Sequence, residues 1–159
     1  MKTIAIVMRS LNDEVPSLKA PAAGALLKSA KHIVIIFIER NKIFLFNEPH
    51  VMLESEKILS IEQKLHRKAV VAHLEKAAQT VKKMNPKAEI SKLVISGDEK
   101  YKIRKCLECL EVQAVMFIAK HKKKKFYEYF VQSLEDYVFE IVKIPIIKVL
   151  TPEHCLQIP

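Results

Sequence analysis

Apolar and polar positions alternate along the chain on two different periods. Residues 2–8 (KTIAIVM) and 32–39 (HIVIIFIE) are apolar almost throughout, as strands buried on both faces of a sheet are. Residues 90–95 (ISKLVI), 114–118 (AVMFI) and 144–150 (IPIIKVL) predict three more strands. Helical spacing fills the intervals. Residues 21–31 predict a helix with Ala22, Ala25, Leu26 and Ala30 inward. Residues 60–84 carry Ile61, Leu65, Val70, Leu74, Ala77, Ala78, Val81 and Met84 on one face, with Asn85-Pro86 as the stop. Residues 99–111 and 126–142 predict the remaining helices, the last with Phe130, Leu134 and Tyr137 inward. Strand and helix alternate from end to end, which predicts an α/β fold: an open, parallel, five-stranded sheet between two helical layers, linked by right-handed crossovers.

Residues 40–54 fit neither period. Ile43-Phe44-Leu45-Phe46 reads as a short extra strand or a lid, and Asn47-Glu48-Pro49 as a turn. With 159 residues, half of them apolar and 28% charged, the chain reads as one globular domain spanning 1–159. No window approaches the roughly 20 apolar residues of a membrane span. The first residues lack the apolar length and small-residue cleavage site of a signal peptide, so a cytoplasmic protein is expected. Cys106, Cys109 and Cys155 are an odd number, which argues against a disulfide framework. The Cys106–Cys109 pair falls inside a helical pattern with Ile103, Leu107 and Leu110. It therefore reads as two core cysteines rather than a redox or zinc motif. His66 and His73 stand two turns apart, too far to share a metal, and read as solvated.

The net charge of +9 suits nucleic acid, polyphosphate or an acidic surface. Five lysines fall within six positions, Lys120 and Lys122 to Lys125, directly after the fourth strand. The loop after a strand's carboxyl end is where open α/β sheets bind ligands. Such loops are commonly glycine-rich, because glycine lets backbone N–H groups close around a phosphate. This one has no glycine, and the whole chain has two. Phe126, Tyr127, Tyr129 and Phe130 follow, and could stack on bases beside the lysines, although their spacing also suits a helix packed on a sheet. His121 is placed to act as a general base, its lysine neighbours favouring the neutral form. No nucleophile elbow, Ser/His/Asp order or catalytic carboxylate pair accompanies it, so no enzyme is expected.

Three segments together resemble the universal stress protein family over nearly the whole chain. Gly97-Asp98, then a helix, then Gln113-Ala114-Val115-Met116-Phe117-Ile118, is similar to the family's GD…ADLIVMG stretch. Ile144-Pro145-Ile146-Ile147-Lys148-Val149 is similar to its CPVLVV ending. The resemblance implies a flavodoxin-like, adenine nucleotide alpha hydrolase-like topology with sheet order 3-2-1-4-5, and a homodimer, often formed through the last strand. ATP-binding members carry G-x2-G-x9-G-S/T after the fourth strand. The equivalent positions here are Ala119, Lys122, Gln132 and Ser133, of which only the serine matches. The aspartate that ends their first strand, in V-D-G-S, is replaced by Met8 in Val7-Met8-Arg9-Ser10. By family position a nucleotide or anion pocket comprises Met8, Ile38, Ala119, Lys120, Lys122, Gln132 and Ser133. Side chains at Lys122 and Gln132 oppose close backbone approach to a triphosphate. The resemblance thus implies a binding or regulatory domain without the usual glycine loop, for an anionic ligand or a protein partner. ATP held by the lysines, and binding of nucleic acid or another polyanion, stand as alternatives.

Overall fold

Side-chain alternation along the inner strands divides the buried residues between two cores. The structure, a computed structural model, describes residues 2–11, 21–39, 49–96, 99–120 and 133–151. Its strands are β1 (Thr3–Met8), β2 (His32–Glu39), β3 (Glu89–Ser96), β4 (Ala114–Lys120) and β5 (Ile146–Thr151). Its helices are α1 (Pro21–Ser29), α2 (Pro49–Met84), α3 (Glu99–Cys109) and α4 (Leu134–Tyr137). The last continues as a π-helical turn, Val138–Val142. All strand pairs are parallel and the sheet order is β3-β2-β1-β4-β5, as the resemblance implies.

Ile4, Ile6, Met8, Ile33, Ile35 and Phe37 point from β1 and β2 into one core, closed by Ala23 and Leu27 of α1 and by Val70, Leu74 and Val81 of α2. Ala5, Val7, Val34, Ile36 and Ile38 point the other way, onto Ile103 and Leu107 of α3, with Leu134 and Val138. Each such side chain removed from water is worth about 1.5–3 kcal/mol, so sheet and helices stabilise one another as three layers. Between the layers Asn85 is buried. Its Nδ2 donates to the carbonyls of Leu27 (2.9 Å) and Ala30 (2.8 Å), satisfying the carboxyl end of α1 from the end of α2.

The chain departs from the sequence expectations where the helices leave the sheet. Ala25 is exposed, while Ala23 and Leu27 carry the inner face of α1, with Leu26, half-buried, packed against the same core as expected. Residues 49–54, expected in a loop, form the start of α2. Proline suits a helix's first turn because its missing N–H needs no partner there. The expected strand at 43–46 lies outside the described residues. Ile61 and Leu65 are not core, with exposures of 60% and 62%, whereas Val70 is wholly buried. The reason is length. Thirty-six residues of α2 run about 54 Å, about twice the rise of the eight-residue strands. Of the two cysteines on α3, Cys109 is exposed and Cys106 partly buried. His73 is not solvated: it meets the Phe37 ring edge-on at 6.3 Å, and its Nε2 is buried. The helix expected from residue 126 begins, within the described residues, at Leu134. Ser133 before it is extended (φ −69°, ψ 160°).

Candidate functional site

In this topology the direction of winding reverses between β1 and β4, so their carboxyl ends flank the crevice where such folds take ligands. Three elements meet there. β1 ends at Met8 and hands the chain to Arg9 and Ser10. β4 ends at Ala119 and Lys120. α4 begins after Ser133.

Met8 follows the pleat into the core beneath α1 and α2 and has no exposed surface. Arg9, the next residue, turns toward the opposite face. Its guanidinium lies over the Phe117 ring of β4, 5.7 Å from the centroid, and is ion-paired with Glu135 Oε1 in the first turn of α4. Glu135 is buried and the Arg9 side chain a quarter exposed. A carboxylate so enclosed needs a matched partner, since desolvating it alone is costly. The pair therefore ties the end of β1 to the start of α4 across the crevice.

Ser133 is the N-cap of α4. Its Oγ accepts from the Asp136 N–H at 3.1 Å, within a Ser-x-x-Asp sequence that signals a helix start. Glu39, at the end of β2, forms a second cluster. It sits 3.5 Å from Arg67 and 3.6 Å from His66 of α2, and accepts a hydrogen bond from Ser96 Oγ at 3.3 Å. Both carboxylates on this edge of the sheet are thus matched by cations from neighbouring elements.

The structure does not bring all the sequence-derived pocket residues together. Met8 and Ile38 are both buried but on opposite faces of the sheet. Ala119 and Lys120, expected in the loop, are still strand, in register with Leu150 and Thr151 of β5. Ser133 reaches the crevice rim as a helix cap. Lys122, Gln132, His121 and the aromatics from Phe126 to Phe130 lie outside the described residues. Arg9 and Glu135 were not singled out by sequence reasoning. The available signal was Arg9 itself, standing where the family's V-D-G-S has its glycine.

On α3, burial, and secondarily the neighbouring Cys109, pushes the Cys106 thiol up. That opposes a thiolate nucleophile. Among the described residues no three His, Cys, Asp or Glu side chains gather as metal ligands do. No helix among them is long and apolar enough to cross a membrane. An open groove of about 640 Å³ lies at the far end of the sheet, between the end of α2 and the start of β3. It is lined by Gln79, Lys82, Lys87, Glu89, Ser91 and Lys92, and is separate from the crevice.

Neither a family model nor a curated protein matches the chain. Solved structures do. A universal stress protein in complex with cAMP superposes with a TM-score of 0.59 at 14% identity, over 94% of this chain and 97% of that one. The chain has the universal stress protein fold. UspA, a universal stress protein from Lactobacillus plantarum, matches at TM-score 0.57 and 11% identity over 93% and 97% of the two chains. A universal stress protein family protein from Arabidopsis thaliana, with AMP bound, matches at 0.56 and 7% over 96% and 94%. At these identities the likeness is one of architecture, and the family resemblance read from the sequence holds at that level.

Proposed function

We propose that this chain is a binding or regulatory domain of the universal stress protein type, without catalysis of its own. It takes an anionic ligand or a protein partner at the crevice beyond β1 and β4, and does not hold ATP in the glycine-loop manner. The observation that carries this reading is the Arg9–Glu135 pair. Where the family's ATP-binding pattern has an aspartate and a glycine, this chain has an apolar side chain in the core and a cation locked to α4. Among the described residues, β1 offers a ribose no carboxylate, and the Arg9 side chain takes up space at the crevice. The lysine run after β4 supplies charge for an anion in place of backbone N–H groups. The domain acts as a homodimer, with β5, at the end of the sheet order, as the strand available for pairing.

A second reading keeps a nucleotide, with lysines in place of glycines. It is favoured by the fold shared with proteins solved in complex with cAMP and with AMP bound. Thermal unfolding with Mg-ATP, AMP or cAMP, at low and moderate salt, separates the two. A ligand at 100 times its Kd stabilises by about 2.7 kcal/mol, a readily measured rise in midpoint. The proposed reading expects no rise that survives moderate salt. A salt-resistant rise with any of the three nucleotides would overturn it in favour of the second.

A further inference from the structure

At the opposite end of the sheet from β5, β3 is the other terminal strand. Its eight residues pair with β2 in unbroken register, without bulge or proline. The Glu89 N–H donates to the Lys31 carbonyl just before β2, at 2.9 Å. In a parallel ladder the N–H and C=O of one residue point the same way, and successive residues alternate. Glu89, Ser91, Leu93 and Ile95 therefore bond β2, and the backbone groups of Ile90, Lys92, Val94 and Ser96 point outward. Lysines close the two ends of this row. Lys82 Nζ donates to the Ala88 carbonyl at 2.9 Å, and Lys102 Nζ to that of Ser96. Between them, among the described residues, neither a strand nor a side chain bonds the outward groups of Ile90, Lys92 and Val94. Edges of this length are ordinarily blunted by charge, proline or a bulge. The one charge within the row, Lys92, is drawn aside by an ion pair with Glu75 of α2. Leu93 and Val94, on opposite faces of the strand, are 37% and 36% exposed. The groove of about 640 Å³ runs beside the first half of this edge, where Lys82, Lys87 and Lys92 line it against one carboxylate, Glu89.

We infer that β3 accepts an extended segment of a protein partner as a sixth strand, with acidic side chains over the groove and apolar ones beside Leu93. Strand addition draws its affinity from the backbone and its selectivity from alternate side chains. Charge decides the occupant. A second copy would bring the same three lysines, on a chain of net charge +9, whereas carboxylates on the added strand meet them with opposite sign. The site is separate from the crevice and requires no nucleotide.

Amide hydrogen exchange of the full chain is the first test. The Ile90, Lys92 and Val94 amides should exchange quickly, and those of Ser91, Leu93 and Ile95 slowly. Slow exchange of the outer three in the chain alone would mean that the edge is already covered, and would overturn the proposal. A capped peptide of alternating glutamate and valine should slow the outer amides, and should bind at least about tenfold more tightly than one of alternating lysine and valine. Val94→Pro removes one outward N–H and leaves the β2 ladder intact, as proline on an edge strand can. Circular dichroism should show the fold kept while peptide affinity falls about tenfold. Val94→Ala keeps the N–H and should bind close to the parent. Lys87→Glu should weaken binding, more so at low salt. Equal binding of the two peptides, or equal binding by Val94→Pro and the parent, would overturn the proposal. So would self-association of the parent that Val94→Pro abolishes, which would give the edge to a second copy. None of these readouts depends on what the crevice binds.

Discussion

Glu111 and Lys143 hold left-handed backbone conformations, φ 51° and 60°, at the ends of α3 and of the π-helical turn. At Glu111 the geometry is a Schellman closure: the Val112 N–H donates to the Leu107 carbonyl and the Glu111 N–H to that of Glu108. Glycine is the usual residue there, because a Cβ costs about 1–2 kcal/mol in this region. Glu111→Gly and Lys143→Gly should therefore each raise stability, by about 0.5–1 kcal/mol after the added flexibility of the unfolded chain, read as higher urea midpoints. The same substitution in an extended residue such as Val34 would do the reverse. Asn85 is the opposite case, a residue that cannot be spared. Asn85→Leu leaves carbonyls of α1 unpartnered in the interior and should cost about 2–3 kcal/mol. At Cys106 the raised pKa means that its thiolate appears only at higher pH than that of a free thiol, about 8.5. Alkylation at neutral pH should label exposed Cys109 before Cys106, and labelling of Cys106 should climb only as pH passes above that value. Equal rates at neutral pH would mean that Cys106 is not shielded.

At the scale of elements, the Arg9–Glu135 pair is the contact that joins the end of β1 to α4. Breaking one side of a buried ion pair strands the other charge. With Arg9 a quarter exposed, Glu135→Leu or Arg9→Met alone should cost about 1–3 kcal/mol. Arg9→Met combined with Glu135→Leu should recover most of that, and the double-mutant cycle measures the coupling. Additive losses would mean that the two side chains contribute by packing alone. This contact also shows where legibility in the sequence ends. β1, β2 and β4 were legible because buried parallel strands are apolar throughout, the largely exposed edge strand β3 and the strand β5 only through shorter apolar runs, and the family resemblance supplied the order. The burial of Ile61 and Leu65 was misread because periodicity reports an apolar stripe, not whether a sheet lies beneath it: Ile61 and Val70 look alike in sequence and differ only in where the strands stop. At the ends of β1 and β4 the sequence named Met8 and Ser133 but not the contact that joins the elements there. Arg9 and Glu135 are 126 positions apart, and no local pattern pairs them. The end of α3 was blurred for a related reason, since Glu111 occupies the left-handed position at which glycine would have marked a stop, whereas the last helical segment ends at residue 142 as expected.

For the molecule as a whole the governing quantity is its charge. A net +9 on 159 residues repels itself in the compact state, and salt screens that repulsion between exposed groups over about 10 Å at 0.1 M. The pair at Glu135 is sheltered by its neighbours and is screened less. Added salt should therefore remove more repulsion than attraction, and the unfolding midpoint should rise between low and physiological ionic strength. The identity of the anion separates this general effect from a site. If the lysines after β4 bind an anion, phosphate or sulfate should raise the midpoint further than chloride at equal ionic strength, with a saturating dependence on concentration. Changing Lys122, Lys123 and Lys124 to Ala should remove that excess while leaving the chloride response, because three fewer charges relieve repulsion without touching the core. A phosphate excess that survives the triple substitution would place the anion elsewhere, and the groove lined by Lys82, Lys87 and Lys92 would be the next position to change.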